Sequence, residues 1–500
     1  MRLTFFGLKL ATRLIGVLLA CAVAPVVMAE PLAAPGDMRL RHDLQLLNDG
    51  GAINIPLTTW PMALGDVHNA LDSVDAAALN SSNWFAFARL KQRLSWEMDI
   101  DAVDIVFGVG GASEPRIVRS FENTPRADGE AHARLTWVGE RFALNLSATY
   151  ANNPFDGDEF RPDGTYIGMA LGNWIVTAGW QERWFGPGNG GSLILSNNAR
   201  PTPGIAIQRN NSTPFETKWL RWMGPWTLTS FMGQLDDART VNDALIFGLR
   251  GSFRPVKGLE IGLSRTAQWC GDGRSCDLDT FVDLLLGNDN QGVNVAPEDE
   301  PGNQLAGIDI RWSLPKQIPV ALYMQWIGED SRQGGPAIGS WMRQLGLEYW
   351  GSIGGLSHRT HFEVTDSMCR EGGFGFSDKK PNCAYEHLIY TTGYRYQGRP
   401  IGHSGDGDTL SYSIGSTLVE SAGHTWNVSL RYMEINREGL PNPRHTLSPT
   451  PQELIDIQLT HERETRFGRF YAGLGYARLD DEVSGISSSE VTGFIRWSTR

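Results

Sequence analysis

From about residue 100 onward, apolar and polar residues alternate with a period of two along segments of strand length. The segments 142–150, 426–433 and 455–460 each place apolar side chains on one face and polar or small side chains on the other. Alternation of this kind predicts β-strands whose two faces meet different surroundings. Transmembrane barrels and β-sandwiches both show it, so the connections between the strands have to distinguish the two.

Short turns and longer segments alternate strictly along this part of the chain. The eight short turns lie at Gly139–Glu140, Gly172–Asn173, Gly224–Pro225, Arg254–Gly258, Pro315–Pro319, Gly351–Leu356, Ser421–His424 and Thr465–Gly468. The nine longer segments are 110–131, 151–163, 182–216, 235–242, 269–303, 329–340, 367–407, 435–451 and 479–489. Together they join 18 strands, with short turns at one end and long loops at the other. We therefore predict an all-β transmembrane barrel of about 18 antiparallel strands over residues 100–500.

The composition agrees with a barrel. The chain has 17 Trp and 57 Gly, and charged residues make up 20% of it. Aromatic girdles and turn glycines account for such values in outer-membrane barrels, whereas ordinary soluble enzymes are poorer in both residue types. After the first 29 residues the chain has no run of 18 apolar residues, so no transmembrane helix is predicted.

The first 29 residues have the pattern of a cleaved secretory signal peptide. Arg2, Lys9 and Arg13 precede an apolar stretch at 14–28, and cleavage is expected after Ala29. The net charge of the whole chain is −12, and loss of three cationic residues makes the mature protein more acidic still. Nucleic acid is therefore not expected as a partner.

Residues 30–99 read as a compact helical region that precedes the barrel. Leu40, Leu44 and Leu47 share one helical face, and Gly50 follows as a helix stop. Two further helices are predicted, one capped at Thr58 or Thr59 and one capped at Asn83. The predicted organisation is a signal peptide at 1–29, a periplasmic helical bundle at 30–99 and the barrel at 100–500.

Four cysteines follow the signal peptide: Cys270, Cys276, Cys369 and Cys383. An even number of cysteines in an exported chain suggests two disulfides. The simplest pairing joins Cys270 to Cys276 and Cys369 to Cys383, although three pairings are possible. Both simple pairs fall in predicted long loops at the same end of the barrel.

A glycine-rich segment, WFGPGNGGSLI at 184–194, raises the question of a phosphate-binding loop. A phosphate loop needs Gly-Lys-Ser/Thr at the start of a helix, and no lysine follows these glycines. The favoured interpretation is a loop whose glycines allow close backbone packing against the barrel wall or in its lumen.

Acidic clusters occur in the predicted long loops. Glu298 with Glu300, or Asp406 with Asp408, could form a glycosidase pair or bind calcium. Neither spacing is diagnostic, and solvated acidic loops are the favoured interpretation. We predict no catalytic residue, no metal site and no cofactor.

The segment 384–408, AYEHLIYTTGYRYQGRPIGHSGDGD, is rich in tyrosine and arginine. Aromatic faces suit the apolar faces of sugar rings, and guanidinium groups suit hydroxyls and carboxylates. The same tyrosines could instead pack the loop inside the mouth of the barrel. The sequence favours the two readings equally.

Several long stretches resemble the Wzi family of outer-membrane capsule-assembly proteins. They run in order from the first predicted helix to the fourteenth strand: 40–61, 184–194, 200–209, 219–226, 259–269, 300–312, 325–330 and 394–408. The resemblance implies an 18-stranded barrel over a periplasmic helical bundle. It also implies a non-enzymatic surface lectin that helps to anchor capsular or related exopolysaccharide at the outer membrane of a Gram-negative bacterium.

We accordingly predict that loops 269–303, 329–340 and 367–407 hold polysaccharide. The predicted carbohydrate-binding residues are Trp269, Trp341, Tyr385, Tyr390, Tyr394, Arg395 and Tyr396. The expected partners are surface polysaccharide, outer-membrane lipid and a periplasmic export or assembly protein that contacts the helical bundle. The alternatives are a channel for diffusion or export of saccharides and an envelope glycosidase.

Overall fold

Eighteen antiparallel strands close into one barrel in the computed structural model, which describes residues 32–286, 302–314, 318–331, 338–372, 376–437 and 442–499. The strands are β1 Val103–Ala112, β2 Ala127–Val138, β3 Phe142–Pro154, β4 Tyr166–Leu171, β5 Trp174–Trp180, β6 Pro203–Arg209, β7 Trp226–Gln234, β8 Leu245–Val256, β9 Leu259–Trp269, β10 Gly302–Ser313, β11 Val320–Ser331, β12 Ile338–Ile353, β13 Leu356–Glu371, β14 Leu410–Val419, β15 Thr425–Ile435, β16 Gln452–Thr465, β17 Gly468–Asp481 and β18 Ser487–Ser498. The barrel closes where β18 pairs with β1, with Trp497 opposite Val109. The predicted fold class and strand number are confirmed.

The period-two pattern separates an apolar outer wall from a polar inner wall. In β15, Trp426, Val428 and Leu430 face outward and are exposed, whereas Thr425 and Arg431 face inward and are buried. The same alternation recurs around the ring because successive side chains of a strand point to opposite faces. The outer wall suits lipid, and the inner wall suits polar contacts with whatever fills the lumen. Among the described residues, no helix is long and apolar enough to cross a membrane.

One connection differs from the prediction. The long segment predicted at 182–216 contains strand β6, Pro203–Arg209, and the following turn runs over 210–225. The apolar stretch WLRWMGPW suggested a strand just before Gly224. Instead it forms an exposed turn, with a short 3-10 helix at Arg221–Met223.

Within residues 32–102, three α-helices precede the barrel: α1 Met38–Asp49, α2 Leu64–Asp72 and α3 Ser81–Glu97. Asp37 caps α1 and Asn80 caps α3. The cap predictions at Thr58, Thr59 and Asn83 are wrong. Both threonines bond to side chains of the barrel wall, and Asn83 lies within α3. A fourth helix, α4 Leu278–Leu286, lies in the loop after β9.

Apolar side chains of α1 and α3 form one core with the inner wall. Leu44 of α1 and Leu90 of α3 belong to the same buried cluster as Trp350 of β12 and Ala321 of β11. Asp49, at the end of α1, bonds to Arg311 and Arg359 of the inner wall. The helices therefore close one end of the barrel, here named the helical end, and the opposite end is named the loop end. The predicted signal peptide lies outside the described residues.

Candidate functional site

The loop between β5 and β6 crosses the lumen at the loop end. Its glycine-rich part is held by polar side chains of the wall: Gln325 Nε2 donates to the Phe185 carbonyl at 2.9 Å, and the Leu193 amide donates to Gln325 Oε1 at 2.7 Å. Glu363 accepts from the amides of Asn189 and Gly190 at 2.8 and 3.1 Å. These bonds satisfy the backbone of a loop that is shielded from water.

Glycine is required at several positions because the loop touches its surroundings without room for a side chain. A Cβ at Gly190 would lie 2.8 Å from Glu363 Oε1, and a Cβ at Gly188 would lie 2.7 Å from Gln344 Oε1. A Cβ at Gly191 would collide with the imidazole of His403. The interpretation of WFGPGNGG as a lumen-packing loop is therefore confirmed.

The β5–β6 loop reaches walls that lie nearly opposite one another. Phe185 meets Phe231 of β7 with ring centroids 6.3 Å apart. On the other side, Arg431 of β15 donates to the Gly190 carbonyl at 3.0 Å. The helical end meets the same loop, since Arg41 of α1 donates to the carbonyls of Pro187 and Gly188 at 2.7 and 2.8 Å. Helices and loop are therefore joined inside the lumen as one connected plug.

Tyrosines of the β13–β14 loop complete the plug. Tyr385, Tyr390 and Tyr394 are fully buried. The hydroxyl of Tyr385 donates to the Leu193 carbonyl at 2.7 Å, and that of Tyr394 donates to the Ile194 carbonyl at 2.9 Å. The two rings lie nearly parallel, with centroids 5.9 Å apart. In this structure these aromatic faces are covered by protein.

The arginine of the same loop is also engaged inside the protein. Arg395 donates to Asp406 Oδ1 and to Glu386 Oε1, both at 2.8 Å. Burial opposes ionisation of Asp406, but the Arg395 guanidinium outweighs burial and holds the pKa of that carboxyl below its usual range. The buried group is therefore an ion pair, with Arg395 between two carboxylates.

The three remaining predicted binding residues lie near the mouth. Trp269 is buried and meets Phe281 of α4 with centroids 5.1 Å apart. Tyr396 is buried and Trp341 is half-buried. The structure thus brings Tyr385, Tyr390, Tyr394, Arg395 and Tyr396 together within one packed loop. Direct contact of the seven residues with carbohydrate stays a prediction.

The candidate acidic groups are committed to internal contacts where the structure describes them. Asp408 is buried and accepts from the Asn382 amide at 2.6 Å. Two further acidic loop residues, Asp156 and Asp158, pair with Arg200 at 3.1 and 2.9 Å. The predicted pair Glu298 and Glu300 lies outside the described residues.

Both simple cysteine pairs are bonded. Cys270 joins Cys276 next to β9, and Cys369 of β13 joins Cys383 in the tyrosine-rich loop. The second disulfide ties that loop to the barrel wall. The predicted pairing is confirmed.

An exposed phenylalanine lies beside a half-buried arginine at the surface of the loop end. Phe155, in the β3–β4 loop, is 66% exposed, and the Arg399 guanidinium lies 5.0 Å from its ring centroid. Arg399 also donates to the Ile117 carbonyl at 2.8 Å, which fixes its position. Arg399 lies in the tyrosine- and arginine-rich segment 384–408, whereas Phe155 lies 244 residues earlier, carries no local motif and was not predicted.

These features define an outer-membrane β-barrel whose lumen holds a plug formed by its own helices and loops. The chain belongs to the capsule assembly protein Wzi family, whose model matches residues 107–479.

Two comparisons show how similar its relatives are. The solved structure of Wzi, an outer-membrane protein involved in group 1 capsule assembly in Escherichia coli and a carbohydrate-binding β-barrel, superimposes with a TM-score of 0.80 at 28% identity. That match covers 93% of this chain and 98% of the other. An uncharacterized 55.8 kDa protein in the cps region of Klebsiella pneumoniae is 35% identical over 298 residues, which are 59% of this chain. The chain spans 57% of that relative's length.

Proposed function

We propose that this protein is a non-catalytic, lectin-like protein that binds and anchors capsular or related exopolysaccharide at the cell surface. The loop end faces the outside, and the helical end faces the periplasm, where it can meet an export or assembly partner. Family membership supports this assignment, as does the similarity to a structure described as a carbohydrate-binding barrel.

The observation that carries the proposal is the packed plug. Phe185, Tyr385 and Tyr394 belong to one buried cluster that also includes wall residues from β6 to β12. A polymer that approaches from outside meets this plug instead of an open lumen. Binding is therefore assigned to the outer surface of the loops.

We propose that the exposed and the buried aromatic and arginine residues of the loops have different roles. Phe155 and Arg399 contact the glycan, because the phenylalanine ring is exposed beside a guanidinium. The buried residues Tyr385, Tyr394 and Arg395 hold the loop surface in shape. A sugar ring can stack on the open part of the Phe155 ring while Arg399 donates to a hydroxyl or carboxylate.

Retention of a long polymer does not need a deep pocket. A repeating glycan can place several repeats on one protein or on neighbouring proteins, and the weak contacts then act together. We therefore expect binding to strengthen steeply with chain length. Short fragments should bind weakly even where the whole polymer is held firmly.

The test is binding of detergent-purified protein to the surface polysaccharide of the producing strain, with an unrelated neutral glucan as the control. Saturable binding to the first polymer, with no release of reducing ends, supports a lectin. Release of reducing ends that is lost in Asp408→Asn or Glu298→Gln would instead establish a glycosidase. Failure to bind the cognate polymer would overturn the proposal.

The channel hypothesis is tested by conductance in planar bilayers. A barrel of this strand number could enclose an aqueous pore, but the plug crosses the lumen from β7 to β15. We expect no steady, large conductance. A large conductance from the intact protein would favour transport of saccharides.

A further inference from the structure

The connection between β6 and β7 presents two exposed tryptophans at the helical end. Trp219 is 81% exposed and Trp222 is 60% exposed. This connection spans residues 210–225, whereas the neighbouring β4–β5 and β8–β9 turns at the same end have only two residues each. Exposure of two large apolar side chains to water in one turn is unfavourable, and it indicates that another surface covers this turn.

The turn has a fixed conformation. The amides of Leu220 and Arg221 both donate to the Thr217 carbonyl at 3.0 Å. At its base, the Phe215 ring stacks on Trp226 with centroids 4.3 Å apart, and the Ser212 amide donates to Asp66 of α2 at 2.8 Å. The two tryptophans are therefore held in place instead of being carried on a loose tip.

The turn lies over the outer wall of the barrel. Trp222 meets Phe253 of β8 edge to face, with centroids 5.7 Å apart. The neighbours of Phe253 in sequence, Ser252 and Arg254, are buried and face the lumen, so Phe253 faces outward. The apolar surface formed by Trp222 and Phe253 is thus continuous with the lipid-facing wall, and Trp219 lies three residues before Trp222 in the same turn.

The cationic residues of the turn can attract the phosphates of phospholipid headgroups. Lys218 and Arg221 are exposed beside the tryptophans, and one acidic residue, Glu216, accompanies them. Tryptophan rings prefer the boundary between headgroups and acyl chains, and nearby cations attract lipid phosphates. We propose that residues 215–223 form an interfacial anchor that binds the phospholipid headgroups of the membrane leaflet at the helical end.

A nitroxide label placed by Leu220→Cys in the purified, bilayer-reconstituted protein tests the anchor and leaves both tryptophans in place. Once the predicted signal peptide, which contains Cys21, is removed, the two native disulfides leave the introduced cysteine as the labelling site. The reference positions are Leu146→Cys on the lipid-facing wall and Leu388→Cys, which is 94% exposed at the loop end. Accessibility to oxygen and to a water-soluble nickel chelate reports the depth of each label.

We expect the label at position 220 to lie between the two references in depth. Trp219→Ala with Trp222→Ala should move it toward the aqueous reference. Lys218→Gln with Arg221→Gln should move it less, and only in bilayers that contain anionic phospholipid. Accessibility equal to that at position 388 would overturn the proposal. Protection from both reagents would also overturn it, because a protein contact would then cover the turn.

Discussion

Asp49, the last residue of α1, accepts hydrogen bonds from Arg311 of the barrel wall at 2.7 and 2.8 Å. Arg359 donates to the same carboxylate at 2.8 Å, and Glu348 completes a buried network of two acids and two arginines. Burial alone would raise the pKa of Asp49, but the two guanidinium groups outweigh it and lower that pKa. This network forms a buried ionic lock between the helices and the barrel.

We predict that Asp49→Asn loosens the helical end. The substitution leaves two buried arginines facing one carboxylate, and breaking a buried pair typically costs about 3–5 kcal/mol. Limited proteolysis of residues 38–97 in the detergent-purified barrel measures the effect. Asp72→Asn is the control, because its ion pair with Lys91 lies on the surface and contributes at most about 1 kcal/mol. Equal cleavage rates for the two variants would contradict the lock.

Gly191→Ala should destabilise the plug. The added methyl group meets the His403 ring, and overpacking of this kind typically costs about 1–3 kcal/mol. The temperature at which the barrel loses its compact mobility on gels should fall. Gly111→Ala is the matched control, because the nearest atom to its added Cβ is 3.6 Å away. If both variants lose their compact mobility at the same temperature as the wild type, the close packing of the WFGPGNGG loop does not contribute to stability.

Acidification should tighten the loop end through Asp408. Burial raises the pKa of this carboxyl to about 6, aided by Asp406 and Glu386 and opposed by the Asn382 amide and Arg437. A raised folded-state pKa means that the protonated form stabilises the fold. That stabilisation is complete below the unfolded value of 3.8 and is lost as pH rises through about 6. Its upper limit is about 3 kcal/mol.

Hydrogen exchange of the peptide that contains Asn382 measures this effect, after correction for the intrinsic pH dependence. Protection should be greater at pH 5 than at pH 7.5 in the wild type. The difference should shrink in Asp408→Asn, which cannot ionise. An unchanged difference in that variant would assign the pH dependence to another group.

The barrel could be predicted from sequence because its rules are local. Alternation and turn length set the strands, and glycine spacing in WFGPGNGG indicated close packing. The strand predicted within segment 210–225 was wrong because a turn rich in tryptophan has the same local apolar pattern as a strand. The tyrosines were ambiguous because a ring suited to stacking on sugar is equally suited to a core. Only the fold brings Tyr385 to Leu193 or Arg399 to Phe155, since these partners are far apart in the chain.

We propose that the glycan binds the exposed loop surface above the plug. The most direct measurement is the affinity of purified Phe155→Ala/Arg399→Gln for the producing strain's polysaccharide. Phe467→Ala/Arg466→Gln is the matched control, because it removes the same kind of pair at the helical end. In the wild type, Phe467 is 65% exposed and the Arg466 guanidinium lies 4.5 Å from its ring centroid. We predict that the first variant loses about tenfold in affinity, equivalent to roughly 1.4 kcal/mol of binding free energy. We predict no loss of affinity for the control. Wild-type affinity in both variants would contradict this placement of the glycan.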